Sequence, residues 1–210
     1  MPSPREIQKY YSDPIEVIWL HCLRQLGWQL SRSSEVFASW DGKITLTIGR
    51  TSDLDPDDSL AQLILHELCH ALIEGKRAWV KVDWGLDNID EQHLVNELAC
   101  HRLQAALADR VELRSFFAVT TDWRPYYEQI PFIWNKAQDT EQVLQWAESF
   151  EWNLDDAKKI DLQAIALAEK GLLLLQNEQY FCQALSQALQ QSASIAQILK
   201  PCVDINSLWF

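Results

Sequence analysis

Basic residues are scarce in this chain. Its 210 residues include 18 Lys and Arg against 30 Asp and Glu, which gives a formal net charge of −12 at pH 7. The Lys and Arg residues form no run long enough to build a basic groove. Because the phosphate backbone repels so acidic a protein, we expect no nucleic-acid partner.

Long apolar segments are also missing. A membrane-spanning helix needs about 20 predominantly apolar residues, and the nearest candidate, residues 171–175, is far shorter. The first residues are polar and contain no apolar core of the kind that a secretory signal has. We therefore expect a cytoplasmic protein with no membrane partner.

Cysteines are few and show no paired spacing. An odd number of scattered cysteines is typical of reduced thiols in a cytoplasmic protein rather than of a disulfide framework. The five are Cys22, Cys69, Cys100, Cys182 and Cys202.

The residues that are present predict one mixed α+β domain that is mainly helical. The chain is 48% hydrophobic, enough to bury a core. Asp41-Gly42 lies between two β-rich runs and predicts a hairpin with a two-residue turn, in which Ile44, Leu46 and Ile48 share one face. The predicted strands are 36–40 and 43–48, and the predicted helices are 14–26, 59–74, 91–109, 139–150, 155–176 and 178–200.

The sequence predicts two parts of the chain that meet near residue 125. Residues 1–125 contain the hairpin and the helices whose residues can carry chemistry. The segment after Thr121 is aromatic and contains two prolines, and we interpret it as irregular. We expect residues 126–210 to form a helical C-terminal extension that packs on the same domain.

One motif indicates a metal site. His66-Glu67-Leu68-Cys69-His70 is an H-E-x-x-H sequence inside the predicted helix 59–74. Residues four apart lie on the same face of a helix, so both imidazoles can bind one metal ion. Glu67 is placed to accept a proton from a metal-bound water. Neutral imidazole suits zinc, and also iron, copper or nickel.

A third ligand is expected from the helix 91–109. His93, Glu97 and His101 follow one another at intervals of four residues along one stripe of that helix. Glu97 is the preferred ligand, because two histidines and one carboxylate leave a position open for water and substrate. His93 and His101 are the alternatives.

The motif and the later glutamate resemble the gluzincin group of zinc metallopeptidases. This resemblance implies a zincin-like domain in which His66, His70 and Glu97 bind zinc and Glu67 is the general base. Many gluzincins carry Asp four residues after the metal-binding Glu, whereas this chain has His101 there.

A second resemblance is to the elongation factor P hydroxylase family, which uses an H-E-x-x-H site for metal-dependent hydroxylation. Glu97 would serve as a ligand there as well. Both resemblances lie between residues 59 and 107. The matching residues of the second are His66, Glu67, His70, Ile73, Gly75, Lys76, Val82, Asp83 and Gly85.

These observations predict a metal-dependent enzyme. The first hypothesis is a zinc-dependent hydrolase of peptide or amide bonds, which acts on a peptide or protein substrate with Glu67 as general base. The first alternative is a non-haem iron hydroxylase that uses the same three ligands on a protein side chain. The second alternative is a non-catalytic protein in which the metal is structural or the motif has lost its function.

Overall fold

The computed structural model describes residues 12–86, 91–119 and 121–207, and in these ranges it contains seven α-helices and one small sheet. The predicted fold class, a mainly helical α+β single domain, is confirmed. None of the helices in these ranges is both long and apolar enough to cross a membrane. The elements in chain order are α1 Pro14–Gln25, β1 Gln29–Ser33, β2 Ala38–Trp40, β3 Thr45–Gly49, α2 Leu60–Glu74, α3 Glu91–Asp109, α4 Arg124–Gln129, α5 Thr140–Ala147, α6 Leu154–Asn177 and α7 Gln179–Leu199.

The sheet has β3 in its centre, with β2 antiparallel on one side and β1 parallel on the other. The predicted hairpin is confirmed, but the prediction that its turn has two residues is wrong. Trp40 pairs with Leu46, so the connection includes residues 41–45. The Asp41 carboxylate makes this wider turn possible, because its Oδ1 atom accepts hydrogen bonds from three successive backbone N–H groups of the turn.

Strand β1 was not predicted. Its sequence, QLSRS, has no alternation of apolar and polar residues, and its residues are exposed or half-buried. Strand β1 pairs with β3, which follows it in the chain only after β2. Local sequence patterns do not report pairing between strands that are not consecutive. On β3, Leu46 and Ile48 share one face as predicted and both are fully buried, whereas Ile44 precedes the paired region and is 46% exposed.

Helix α2 carries the motif and has the predicted bounds to within one residue. The Ser59 side chain accepts a hydrogen bond from the backbone N–H of Gln62, which caps the first turn. Gly75 ends the helix with φ +78, a conformation that residues with a Cβ rarely adopt. Helix α3 also has its predicted bounds. Asp90, which precedes it and which the sequence offers as its N-cap, lies outside the described residues.

The C-terminal helices hold the motif helices in place. Helix α6 packs against both α2 and α3, and α7 packs against α1 and α6. The aromatic segment that was interpreted as irregular contains the short helix α4, whose Tyr126 and Tyr127 side chains are buried. Its six residues are too few to show a helical period.

A buried ion pair anchors α3 to this C-terminal half. Arg102 and Asp161 are both almost completely buried, and the guanidinium donates to the carboxylate Oδ1. The Tyr126 hydroxyl donates to the same oxygen over 3.0 Å, and the Gln138 backbone N–H donates to Oδ2 over 3.3 Å. Arg102 also donates to the Trp134 carbonyl. The pair therefore links α3, α4, α6 and the segment between α4 and α5.

Substitution of Gly42 is expected to show how closely the hairpin turn approaches the segment after α2. Gly42 has φ +73, and a Cβ there would lie 2.8 Å from the Lys81 carbonyl carbon, which is backbone. Gly42→Ala should lower the free energy of unfolding by about 2–4 kcal/mol, measured by urea denaturation. Gly27→Ala is the control, because Gly27 has φ +76 with no atom within 4 Å of its added Cβ. The control should lose only about 1–2 kcal/mol, and equal losses in both variants would contradict the close approach.

Candidate metal centre

Helices α2 and α3 pack side by side and bring together the three side chains that the sequence selected as ligands. His66 and His70 lie one turn apart on α2, and Glu97 reaches them from α3. The Nε2 atom of His66 lies 3.1 Å from Glu97 Oε1, and that of His70 lies 3.1 Å from Glu97 Oε2. The two Nε2 atoms are 3.1 Å apart. All three ligand atoms lie within 4.8 Å of one another.

Gln104 sets which ring nitrogen of His66 carries a proton. Its amide nitrogen donates to the Phe117 carbonyl over 2.7 Å, so its Oε1 atom faces His66 Nδ1 at 3.1 Å. An amide oxygen accepts only, so Nδ1 of His66 carries the proton. With a single ring proton on Nδ1, the lone pair of His66 is on Nε2, which faces Glu97 and His70. This is the arrangement by which proteins commonly orient a metal-binding histidine.

His70 is held by a thiol on its other side. Its Nδ1 atom lies 3.2 Å from Cys100 Sγ. Burial opposes a charge on His70, but the Glu97 carboxylate beside it outweighs burial and raises the pKa of His70 to about 9. Burial would raise the pKa of Glu97, but His66 and His70 lower it well below its usual range. The proton on His70 Nε2 thus lies among the acceptors His66 Nε2 and Glu97 Oε2.

The two alternative ligands occupy different places. His101 is 1% exposed, and its Nε2 atom lies 3.3 Å from Glu97 Oε1. Neither of its ring nitrogens makes a hydrogen bond with the described residues. Burial lowers the pKa of His101 to about 3, so the ring is neutral. His101 therefore lies beside the three-residue group, whereas His93, one turn before Glu97, is not part of it.

Glu67 is held by a turn that sequence reasoning did not connect with it. The indole N–H of Trp84 donates to Glu67 Oε2 over 3.0 Å. Trp84 and Asp83 have φ angles of +57 and +47, a strained conformation for residues with side chains. The Asp83 Oδ1 atom accepts hydrogen bonds from Ser39 Oγ and the Trp40 N–H, and the Trp84 ring stacks on that of Trp40. The available sequence signal for this turn was Gly85, because glycine favours the positive φ of +77 that it adopts here.

The group opens into a cleft of about 340 Å³. This is near the lower end of the range of small-molecule pockets, about 300–1,000 Å³. Among the described residues that line it, two are acidic and none is Lys or Arg. They are Phe37, Ala38, Gln62, Leu63, His66, Glu67, His70, Glu97, His101, Val119 and Trp123.

The donor set fits a divalent transition metal. Two imidazole nitrogens and one carboxylate are the ligands of catalytic zinc sites and of non-haem iron sites. Glu67 is outside the ligand group but lines the same cleft, which places a proton acceptor beside it. A metal ion here would have both a proton acceptor and space for a substrate.

Comparison with known proteins identifies no relative: no protein-family model, curated protein or solved structure matches this chain. The interpretation of the site therefore depends on its own geometry and chemistry.

Proposed function

We propose that this protein is a metal-dependent enzyme, a zinc-dependent hydrolase of peptide or amide bonds. The observation that supports it is the convergence of His66, His70 and Glu97 from two helices, with Glu67 facing the same cleft. Two-histidine, one-carboxylate sets leave a coordination position open, as catalytic zinc sites do.

The protonation of the group supports a cation at this place. Because Gln104 holds the proton of His66 on Nδ1, the His66 Nε2 lone pair faces a carboxylate oxygen at 3.1 Å. Two acceptors at this distance repel each other unless a positive group lies close to both. A divalent metal ion bound between the three side chains would supply that positive group and accept a lone pair from each of them.

Glu67 is suited to move the proton in hydrolysis. A bound zinc ion supplies Lewis acidity and lowers the pKa of a water to about 7. The Trp84 N–H holds Oε2 of Glu67, so Oε1 accepts the proton from water while the hydroxyl adds to the substrate carbonyl carbon. The C–N bond then breaks, and Glu67 returns the proton to the leaving nitrogen.

A non-haem iron protein hydroxylase is the second candidate. The same three ligands form the two-histidine, one-carboxylate triad of iron enzymes that use O₂. The specific observation in its favour is the turn at residues 82–85. Asp83 and Gly85, through which the chain resembles the elongation factor P hydroxylase family, flank the tryptophan that orients Glu67.

Reconstitution with single metals tests the proposal. Protein stripped with a chelator is loaded with Zn²⁺, or with Fe²⁺ in air together with ascorbate as the electron donor, and incubated with a pool of unstructured peptides that is analysed by mass spectrometry. We expect zinc to restore cleavage, seen as fragment pairs that together contain one added water. Iron-dependent addition of one oxygen atom would instead support the hydroxylase. If metal removal lowers the melting temperature and neither metal yields product, both enzymes are contradicted and the metal is structural.

A further inference from the structure

A ladder of polar side-chain pairs joins helices α2 and α3. It has three rungs, which follow one another at intervals of four residues on both helices. Residues four apart share one face of a helix, so each helix presents one polar stripe to the other. The rungs are His66 with Gln104 at 3.1 Å, His70 with Cys100 at 3.2 Å and Glu74 with Asn96 at 2.7 Å.

The middle rung of this ladder uses a sulfur atom. Its 3.2 Å distance joins Nδ1 of His70 to Sγ of Cys100, and both residues are buried. A buried cysteine usually behaves as a small apolar residue. The sulfur of Cys100 is instead directed at a ring nitrogen that is buried and has to be satisfied.

The direction of this hydrogen bond follows from the chemistry of imidazole. A metal ion bound to Nε2 of His70 uses the lone pair of that atom, so the single ring proton is on Nδ1. Nδ1 then donates and the sulfur of Cys100 accepts. Gln104 Oε1 accepts from Nδ1 of His66 in the same way. Both rings therefore find their acceptors on α3, the helix that also supplies Glu97.

We infer that Cys100 is a positioning residue for the metal, whose sulfur accepts the Nδ1–H of His70 and holds the ring with Nε2 directed at Glu97 and His66. Replacing residues that orient metal-binding histidines typically weakens metal binding about 10–100-fold. Sulfur is a weak acceptor, so we expect an effect at the lower end of that range. This inference rests on the proposed function, because it requires a metal ion at the His66, His70 and Glu97 group.

Zinc affinity tests the inference, measured on chelator-stripped protein by competition with a chromophoric chelator. Cys100→Ala should bind zinc about tenfold more weakly than wild type, because the Nδ1–H of His70 loses its acceptor. Cys22→Ala is the matched control. It makes the same change at a buried cysteine of α1, a helix that contributes no described residue to the cleft, and should bind zinc as wild type does. Equal zinc affinities of the two variants would overturn the inference.

A second substitution at the same position separates the hydrogen bond from packing. The side chain in Cys100→Ser is nearly as small as that in Cys100→Ala, but its hydroxyl oxygen can accept the Nδ1–H of His70. Cys100→Ser should therefore bind zinc more tightly than Cys100→Ala. If it binds no more tightly, the sulfur only fills space, and the inference is overturned.

Nuclear magnetic resonance of the zinc-loaded protein observes the hydrogen bond itself. In protein that contains isotopically labelled histidine, the Nδ1–H of each zinc-bound ring gives its own signal. Cys100→Ala should move the signal of His70 and leave that of His66, whose acceptor Gln104 is unchanged. A His70 signal that is identical in wild type and Cys100→Ala would overturn the inference.

These measurements separate the inference from the proposed function. If wild type binds no zinc, the proposed function is contradicted and the inference fails with it. If wild type and Cys100→Ala bind zinc equally well, the inference alone is overturned. If Cys100→Ala binds zinc more weakly than Cys22→Ala while zinc-loaded wild type cleaves no peptide, the inference is supported and the proposed hydrolase is contradicted.

Discussion

Asp161→Ala is expected to destabilise the protein by about 3–5 kcal/mol, a large fraction of the roughly 5–15 kcal/mol that stabilises an ordinary domain. The substitution leaves the Arg102 guanidinium, which is completely buried, without its counter-charge. It also leaves the Tyr126 hydroxyl and the Gln138 backbone N–H without their acceptor. Urea denaturation followed by tryptophan fluorescence measures the loss.

An exposed ion pair provides the control. Lys76 and Glu178 lie 2.9 Å apart, and the Lys76 side chain is 57% exposed. Lys76→Met should change the free energy of unfolding by no more than about 1 kcal/mol, because water screens such pairs. If Asp161→Ala loses no more stability than Lys76→Met, the ion pair does not anchor α3. The anchor matters for function because Arg102 follows His101 on the helix that supplies Glu97.

Glu67→Gln is expected to reduce turnover by about 10²–10⁴-fold while metal binding is unchanged. The amide keeps the shape of the side chain and can still accept the Trp84 N–H through its oxygen. It cannot accept a proton from water. Cleavage of the peptides used in the reconstitution experiment gives the rate, and the metal content of the same preparation is measured by mass spectrometry.

Glu128→Gln makes the same chemical change on an exposed residue of α4 and should leave the rate unaltered. A Glu67→Gln variant with full activity would contradict the role of Glu67 as general base. A variant that loses the metal would show that Glu67 is a ligand, which its position outside the three-residue group does not predict.

The parts of the fold that local sequence specifies were predictable. Helix α2 could be bounded because Ser59 and Gly75 act within a few residues of the backbone groups that they cap. The spacing of His66 and His70 follows from the helical period alone. Glu97 could be preferred as the third ligand because it lies on one stripe of α3 with His93 and His101. Which of these three residues reaches the histidines of α2 depends on how α3 packs against α2, and no local sequence pattern reports that packing.

The residues that complete the site were not predictable, because they act over long separations. Gln104 orients His66 across 38 residues, and Trp84 reaches Glu67 across 17. The ion pair between Arg102 and Asp161 spans 59 residues, and a lone Arg and Asp at that separation have no recognisable pattern. The parallel strand β1 was missed for the same reason, since its partner β3 follows after the intervening strand β2. All of these contacts are determined by how the helices and strands pack against one another.

Metal content of the purified protein tests the central claim most directly. Wild-type protein, prepared without a metal-affinity step and exposed to zinc, is dialysed and analysed by inductively coupled plasma mass spectrometry beside His66→Ala, Glu97→Ala and His93→Ala. The claim predicts one bound metal ion per chain in wild type and in His93→Ala, and loss of that ion in the other two variants. Wild-type protein that retains no metal, or a Glu97→Ala variant that retains as much as wild type, would contradict it.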